Sequence, residues 1–499
     1  MDKRALLDIF ARLCGTTEYE DTDFGSFLQV KQYRELQDPS KFLIVGGRGS
    51  GKTRVFKTLI GEDGFQRVIG EDTPFNMPSY KNTTILEGFS VDSNLFPSQV
   101  VLESLQNDSN AKAFWIVSIT LTLLAHFSTD EQIKNAVKEF FSIDEQEILN
   151  QKNLLKSPSK WLDLYRKNPE PWANLLDEID HILMQRDQWI ILAYDQIDRI
   201  STQRDILYSY IRTLVSYWFS VSARWRRLKC KIFLRTDLRN AESMHFPDAS
   251  KLKSRQIDLS WNTLSLYRLL IRRLANQNEN TTTAVARKAM LEYLSSIPQL
   301  ISQSTSGGNI PTHNEKQIRL FIAELIGPYM GASPKKGDSY LWVPNHLQDA
   351  NGALAPRSFL KCYACAAQTM LKPENEKTLG SLAPRALMNP SSIQGAVQEV
   401  SADRVDELQE DFPWISNLKN VLEGGTLLMP SADFRQCLAE FLAKNTMENN
   451  PANTIDELMA LLLSLGIIII STDDRINMPE IYLHGFGLKR KGGLRRSNI

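Results

Sequence analysis

Two short stretches hold the residue types that could do chemistry. The first, Lys41 to Thr53, reads KFLIVGGRGSGKT: a four-residue apolar run, Phe42 to Val45, followed by Gly46, Gly47, Arg48, Gly49, Ser50, Gly51, Lys52 and Thr53 at the spacing GxxxxGK[ST]. With little side chain in the way, successive backbone N–H groups can turn inward around phosphates at the positive end of the helix that follows from Arg54. In that arrangement Lys52 reaches the β/γ-phosphates and the Thr53 hydroxyl ligates Mg2+. The apolar strand before the motif and the helix-compatible residues after it supply the context the motif needs.

The second stretch, Gln188 to Ile200, reads QWIILAYDQIDRI. Trp189 to Tyr194 is an apolar run closed by Asp195, and a carboxylate at the carboxyl end of a buried parallel strand sits beside such a loop and can hold Mg2+. Asp195 is therefore the metal-side candidate, with Thr53. The next residue is Gln196, where hydrolytic enzymes of this kind commonly carry Glu; Gln196 can position water, and Asp198 can serve in its place as base. Slow or conditional hydrolysis follows. A competing match, LLDEID at 175 to 180, lies in helical periodicity, which puts Asp177 and Glu178 on a solvated helix face and favours Asp195.

These two strands need a parallel sheet with crossover helices, and the remaining chain is read in those terms. Residues 1 to 40 read as two helices about a polar stretch, packed beside the nucleotide site. Residues 61 to 82 read as loop, and Thr83 to Gly88 as a strand, with Pro97 opening the next helix. Ala111 to Phe127 is apolar enough for a buried helix, and 129 to 185 continues as helical elaboration. A long helix over 203 to 229 ends in Arg224, Arg226, Arg227 and Lys229; Lys231 to Leu234 and Ile257 to Leu259 read as further strands. Past residue 263 the chain becomes helical, with a mobile loop at 302 to 314 and helices at 316 to 327 and 356 to 371. An acidic helix runs over 400 to 414. The end, with helices at 431 to 443 and 454 to 465, strands Ile467–Ser471 and Arg475–Met478 and an Asp-containing turn between them, reads as a winged helix. A tail with five basic residues among 488 to 496 closes it, able to contact a phosphate backbone. The domain reading is 1–40 N-terminal helical segment, 41–262 α/β core with helical insertion, 263–399 helical lid, and 400–499 winged-helix-like domain.

Composition limits the alternatives. In 499 residues, 58 basic and 58 acidic side chains cancel, so net charge announces no polyanionic or membrane partner. Five scattered cysteines make no disulfide framework, and the lone CxxC of Cys362 and Cys365 lacks the second ligand pair of a zinc site. The N-terminus has no signal-peptide pattern and Phe114 to Phe127 is too short to span a bilayer, so a soluble, cytoplasmic protein is expected. Neither a Ser/His/Asp triad nor a nuclease-like carboxylate cluster stands out.

GGRGSGKT at 46 to 53, ILAYDQID at 191 to 198, IFLRTD at 232 to 237 and APRSFL at 355 to 360, before a winged-helix-like end, together resemble the AAA+/STAND group of P-loop ATPases, with the layout of origin-recognition ATPases. The resemblance covers most of the chain in architecture and about 40 residues in motif. It implies ATP and Mg2+ as ligands at residues 46 to 54, with Lys52, Thr53 and Asp195 in their family roles. It further implies Thr236 as a γ-phosphate sensor and Arg357 as a lid arginine. It implies ATP-driven closure read out by homo-oligomerisation or by a separately encoded protein effector, as in bacterial defence against phage. DNA bound through the winged helix and tail, and an ATP-binding scaffold that does not hydrolyse, are the alternatives.

Overall fold

The computed structural model describes residues 2–14, 26–70, 77–79, 81–239, 243–277, 282–303, 308–444 and 451–490. The chain divides into two compact units, Gln29–Leu259 and Met1–Leu28 with Ser260–Ile499.

Gln29–Leu259 is built on a five-stranded sheet: β1 (Leu43–Gly46), β2 (Thr83–Phe89), β3 (Trp189–Tyr194), β4 (Leu228–Arg235) and β5 (Gln256–Asp258), in the order β2-β3-β4-β1-β5. Every pairing is parallel, with Leu43 opposite Ile232 on one side and Gln256 on the other. Parallel strands need covered faces, and β1 and β3 are accordingly buried at every position. Between β2 and β3 runs a helical insertion that includes Asp108–His126, Pro158–Lys167 and Glu170–Gln185. Helix Asp108–His126 is apolar around most of its circumference because it is enclosed: Phe114 and Trp115 are fully buried and meet Phe89, Tyr194 and Tyr210 in edge-on contacts 5.5–6.2 Å between ring centres. The Trp115 indole N–H finds the Tyr210 carbonyl (3.0 Å), and the Tyr210 hydroxyl donates to the Leu102 carbonyl (2.8 Å). Gly88 is required where the Tyr194 ring crosses β2, since a Cβ there would sit 2.7 Å from the ring.

In the other unit, helix Lys3–Ala11 packs on Pro356–Leu371, which also packs on the long helix Pro390–Asp411. Tyr267, Tyr340, Phe359 and Tyr363 form an aromatic core there, with Tyr267 and Tyr340 stacked 4.7 Å apart. Cys362 and Cys365 are buried in Pro356–Leu371 and form no disulfide among the described residues. The C-terminal part has helices Ser431–Lys444 and Ile455–Ser464 and an antiparallel three-stranded sheet of Met429–Pro430, Arg475–Asn477 and Ile469–Ile470, the arrangement of a winged helix.

The expected α/β class and parallel sheet are thus what the structure shows, with several local differences. Gly64–Ile69 is a helix inside the stretch read as loop; Phe65, Val68 and Ile69 are buried, an apolar face outvoting the flanking glycines. The helix expected to reach residue 229 ends at Val221, so Arg224 to Arg227 lie in the turn beyond it and Lys229 in β4. The helix near Pro97 begins at Gln99. Ile301–Gln303 and Asn309–Pro311 form an antiparallel pair within the stretch read as a mobile loop. Lys3–Ala11 packs on Pro356–Leu371 within the unit that lacks the P-loop, and the 3-10 helix Lys31–Gln37 belongs to the sheet-containing unit. The basic tail from Lys491 onward lies outside the described residues. Among the described residues no helix is long and apolar enough to cross a membrane.

Candidate nucleotide site

The loop after β1 turns through Gly49 (φ 75°) and Gly51 (φ 95°), both in the left-handed region that costs other residues about 1–2 kcal/mol, and Gly51 caps helix Lys52–Ile60. Gly46 is held to glycine by crowding, since a Cβ would lie 2.4 Å from the Ser50 hydroxyl. Gly47 is exposed and a Cβ on it would meet nothing within 4 Å. Arg48 is half-buried in the turn and Arg54 half-buried in the helix.

Lys52 folds back over the loop, its Nζ donating to the carbonyls of Gly46 and Gly47, each at 2.9 Å. Burial lowers its pKa; Asp195, Asp198 and Asp237 raise it and Arg235 lowers it, so these charges share one neighbourhood at the carboxyl ends of β1, β3 and β4. Among them Asp195 is the most enclosed, 2% exposed. Its backbone N–H donates to the Phe89 carbonyl on β2 (3.0 Å), which fixes the strand end. Burial pushes its carboxyl up to about 6, against opposing hydrogen bonds from Thr53 and from the Gln196 backbone and the charge of Lys52. One carboxylate oxygen, Oδ2, is buried without a hydrogen-bond partner among the described residues. A buried, unpartnered carboxylate oxygen with a threonine hydroxyl beside it is the donor set a hard, oxygen-seeking cation takes, so Thr53 and Asp195 fit Mg2+. Thr53 and Asp195 would hold the ion, which when bound would supply positive charge to neutralise phosphate oxygens.

Gln196 stands at φ 57°, 5% exposed, with both the oxygen and the nitrogen of its amide hydrogen-bonded. Its Oε1 accepts from the Ser90 hydroxyl (3.0 Å) and weakly from the Asp92 N–H (3.4 Å), and its Nε2 donates to Asp92 Oδ2 (2.8 Å). Arg199 pairs with the same carboxylate at 3.1 Å. Asp198 faces Arg235 at 3.5 Å, and Arg235, its side chain 13% exposed, is pinned by Asp237 at 2.8 Å. Thr236 is exposed at the start of the 3-10 turn that closes β4, next to the P-loop strand because Arg235 is in register with Gly46. Arg357 belongs to the other unit, where it pairs with Glu407 at 3.2 Å.

The competing carboxylates of 175 to 180 have structural duties. Asp177 bonds the Arg224 guanidinium and the Trp225 indole N–H (2.8 Å). Asp180, 6% exposed, accepts the backbone N–H groups of Arg226, Arg227 and Leu228 at 2.7–2.8 Å, which ties the turn into β4 to helix Glu170–Gln185. Arg235, for which the sequence leaves open an arginine finger or a pairing with a nearby Asp, pairs with Asp198 and Asp237; Ser90 and Asp92 were not singled out as site residues from sequence. The available signal was polar residues at the carboxyl end of β2, the same positional rule that selects Asp195.

No family model and no curated protein matches the sequence. Among solved structures the chain is similar to the ORC2 protein of Aeropyrum pernix, in its ADPNP-ADP complexes, at TM-score 0.35 and 12% identity over 91% of each chain. It is also similar to Cdc6p of Pyrobaculum aerophilum, at TM-score 0.27 and 11% identity, over 90% of this chain and 89% of that one.

Proposed function

We propose that this protein binds and hydrolyses ATP with Mg2+ as a regulatory ATPase. The observation that carries the reading is the convergence of Lys52, Thr53 and Asp195 at one end of the sheet, with Asp195 Oδ2 buried and unpartnered. In this reading the glycine loop and Lys52 hold the phosphates, Thr53 and Asp195 hold Mg2+, and Thr236 and Arg357 sense the γ-phosphate. ATP binding favours a closed form by its differential affinity for it, and closure drives self-association and control of a separate effector, in the manner of bacterial anti-phage systems. Particle mass and phosphate release, measured together for wild type, Lys52→Ala and Asp195→Ala with and without ATP and Mg2+, test it. Assembly and phosphate release in wild type that both variants lose are expected; a mass indifferent to ATP removes the switch.

A second reading, an ATP-binding scaffold without turnover, has one specific support: the Gln196 amide is spent on Ser90 and Asp92. Phosphate release by wild type above that of Lys52→Ala eliminates it.

A further inference from the structure

Helix Ser339–Leu347 carries in its last turn a histidine placed to be charged. The ring of His346 reaches back to the Trp342 carbonyl, with Nδ1 at 2.7 Å. A carbonyl oxygen only accepts, so Nδ1 carries a hydrogen. The other ring nitrogen, Nε2, stands 3.1 Å from Glu480 Oε2, and a carboxylate oxygen accepts too. A neutral imidazole has one N–H and cannot serve both acceptors; the arrangement fits the imidazolium. Two further features favour the same form. The ring lies at the negative end of the helix, and it stacks on the Trp342 indole with ring centres 3.6 Å apart.

Glu480 opens the short helix Glu480–Leu483 and its side chain is 16% exposed, beside a His346 side chain at 12%. Its second oxygen takes Arg490, whose Nε lies 3.4 Å away and whose guanidinium also donates to the Met478 carbonyl (2.9 Å). Arg490 ends the strand Lys489–Arg490, which pairs in parallel with Thr426–Leu427. One carboxylate thus ties the helix of His346 to the segment of residues 480–490, all within the unit that holds Ser260–Ile499.

The charges on the neighbouring helices are paired with one another. Arg319 bonds Glu315 and Asp338, Arg385 bonds Glu324, Lys361 bonds Asp403, and Arg357 and Arg404 share Glu407. Asp349, just past the helix, accepts the N–H groups of Asn351 and Ala353. His484 lies close as well; burial lowers its pKa, while Glu480 raises it and Arg490 lowers it.

We infer that His346 is a proton-operated clasp on the C-terminal segment. Charged, it fastens Glu480, and through Arg490 the strand Lys489–Arg490, to helix Ser339–Leu347; neutral, it leaves the segment to Arg490 and to apolar contacts. Those contacts are ample, since Ile481, Tyr482, Leu483 and Phe486 are at most 3% exposed. A largely buried ion pair is often no better for stability than apolar residues of the same volume, and what this one adds is dependence on a proton. The basic run from Lys491 follows directly on this strand, so the proton sets how firmly its root is held.

The test is hydrogen–deuterium exchange of residues 480–490 in the full-length protein without nucleotide, at pH 6 and pH 9, each rate divided by its intrinsic value. Imidazole ordinarily titrates at about 6.5, inside that interval. A hydrogen bond to a charged group predicts about tenfold less protection at pH 9 in wild type. His346→Gln and Glu480→Gln should each be protected equally at the two pH values, and His484→Gln should keep the tenfold difference. Asp195, pushed up to about 6, and Lys231, brought down to about 7, titrate in the same range. Both remain in every variant, so neither accounts for a dependence that His346→Gln abolishes. If His346→Gln does not fold, Glu480→Gln decides, because it leaves the histidine in place. Equal protection of wild type at both pH values, a dependence that survives in folded His346→Gln or Glu480→Gln, or one that disappears in His484→Gln overturns the inference. Exchange is read without ATP, so failure here leaves the ATPase reading standing.

Discussion

Gln196→Glu is the change that family resemblance would select to speed hydrolysis, and the structure predicts the opposite. The substitution replaces the Nε2 donor, 2.8 Å from Asp92 Oδ2, with a second carboxylate oxygen. Two unit charges at that separation repel by about 6 kcal/mol at an effective dielectric near 20. Asp92 is 39% exposed and Arg199 stands beside it, so solvent and rotation leave about 2 kcal/mol of that. Loss of a hydrogen bond to a charged acceptor adds about 1.5 kcal/mol. A total near 3–4 kcal/mol lowers the melting temperature by about 6–16 °C for a unit of this size. Calorimetry on Gln196→Glu, Asp92→Asn and the double variant checks it, because in the double variant the amide introduced at position 92 donates to the carboxylate introduced at position 196 and should recover most of the loss. Phosphate release by Gln196→Glu should be no faster than wild type. A variant as stable as wild type that turns over faster would refute the reasoning and return Gln196 to the role of a weak water-positioning group.

Asp195 gives a pH signature. Its folded pKa of about 6 lies above the ordinary 3.8, so the folded state binds more protons in that interval. Apo stability therefore falls as pH rises from 3.8 to 6, by about 3 kcal/mol in all, and Mg2+ affinity rises over the same interval. Isothermal titration of Mg2+ with ATP present should show affinity about tenfold weaker at pH 5 than at pH 7.5, with the difference gone in Asp195→Asn. Asp180→Ala strands three backbone N–H groups and should cost about 3 kcal/mol by denaturant titration, leaving ATP affinity in the folded fraction unchanged. Gly51→Ala meets no neighbour within 4 Å but must hold φ 95°, a cost of about 1–2 kcal/mol. Its melting point should drop by a few degrees, whereas Lys52→Ala should melt close to wild type and lose the ATP-induced rise.

The glycine loop, the strands of residues 43–46 and 189–194 and the buried aspartate that ends the second of them were legible because each depends on local pattern: an apolar run, a fixed glycine spacing, a carboxylate at a strand end. What was not legible depends on distant residues. The end of helix Arg204–Val221 is set by Asp180, whose carboxylate collects the N–H groups of 226 to 228 from a helix begun more than fifty residues earlier. Gln196 looks in sequence like a defective glutamate; only the return of Ser90 and Asp92 from the adjacent strand shows its amide already engaged. Helix Lys3–Ala11, placed by proximity in sequence beside the P-loop, finds its apolar partner in Pro356–Leu371.

The strand order has a consequence for how the molecule comes into being. Among the described residues β1 is bonded only to β4 and β5, Leu43 to Ile232 and Gln256, while β2 and β3 pair with each other. The buried Lys231 ammonium reinforces that join, donating to the carbonyls of Asp38 (2.8 Å) and Lys41 (2.7 Å) where the chain enters β1. During synthesis from the N-terminus, the motif that defines the site therefore emerges early and stays without a lateral neighbour until nearly two hundred further residues have followed. A ribosome-bound chain stopped before residue 228 carries every glycine of the loop and Lys52, yet has no strand beside which β1 can sit, so the loop gains its place in the sheet in a single late step.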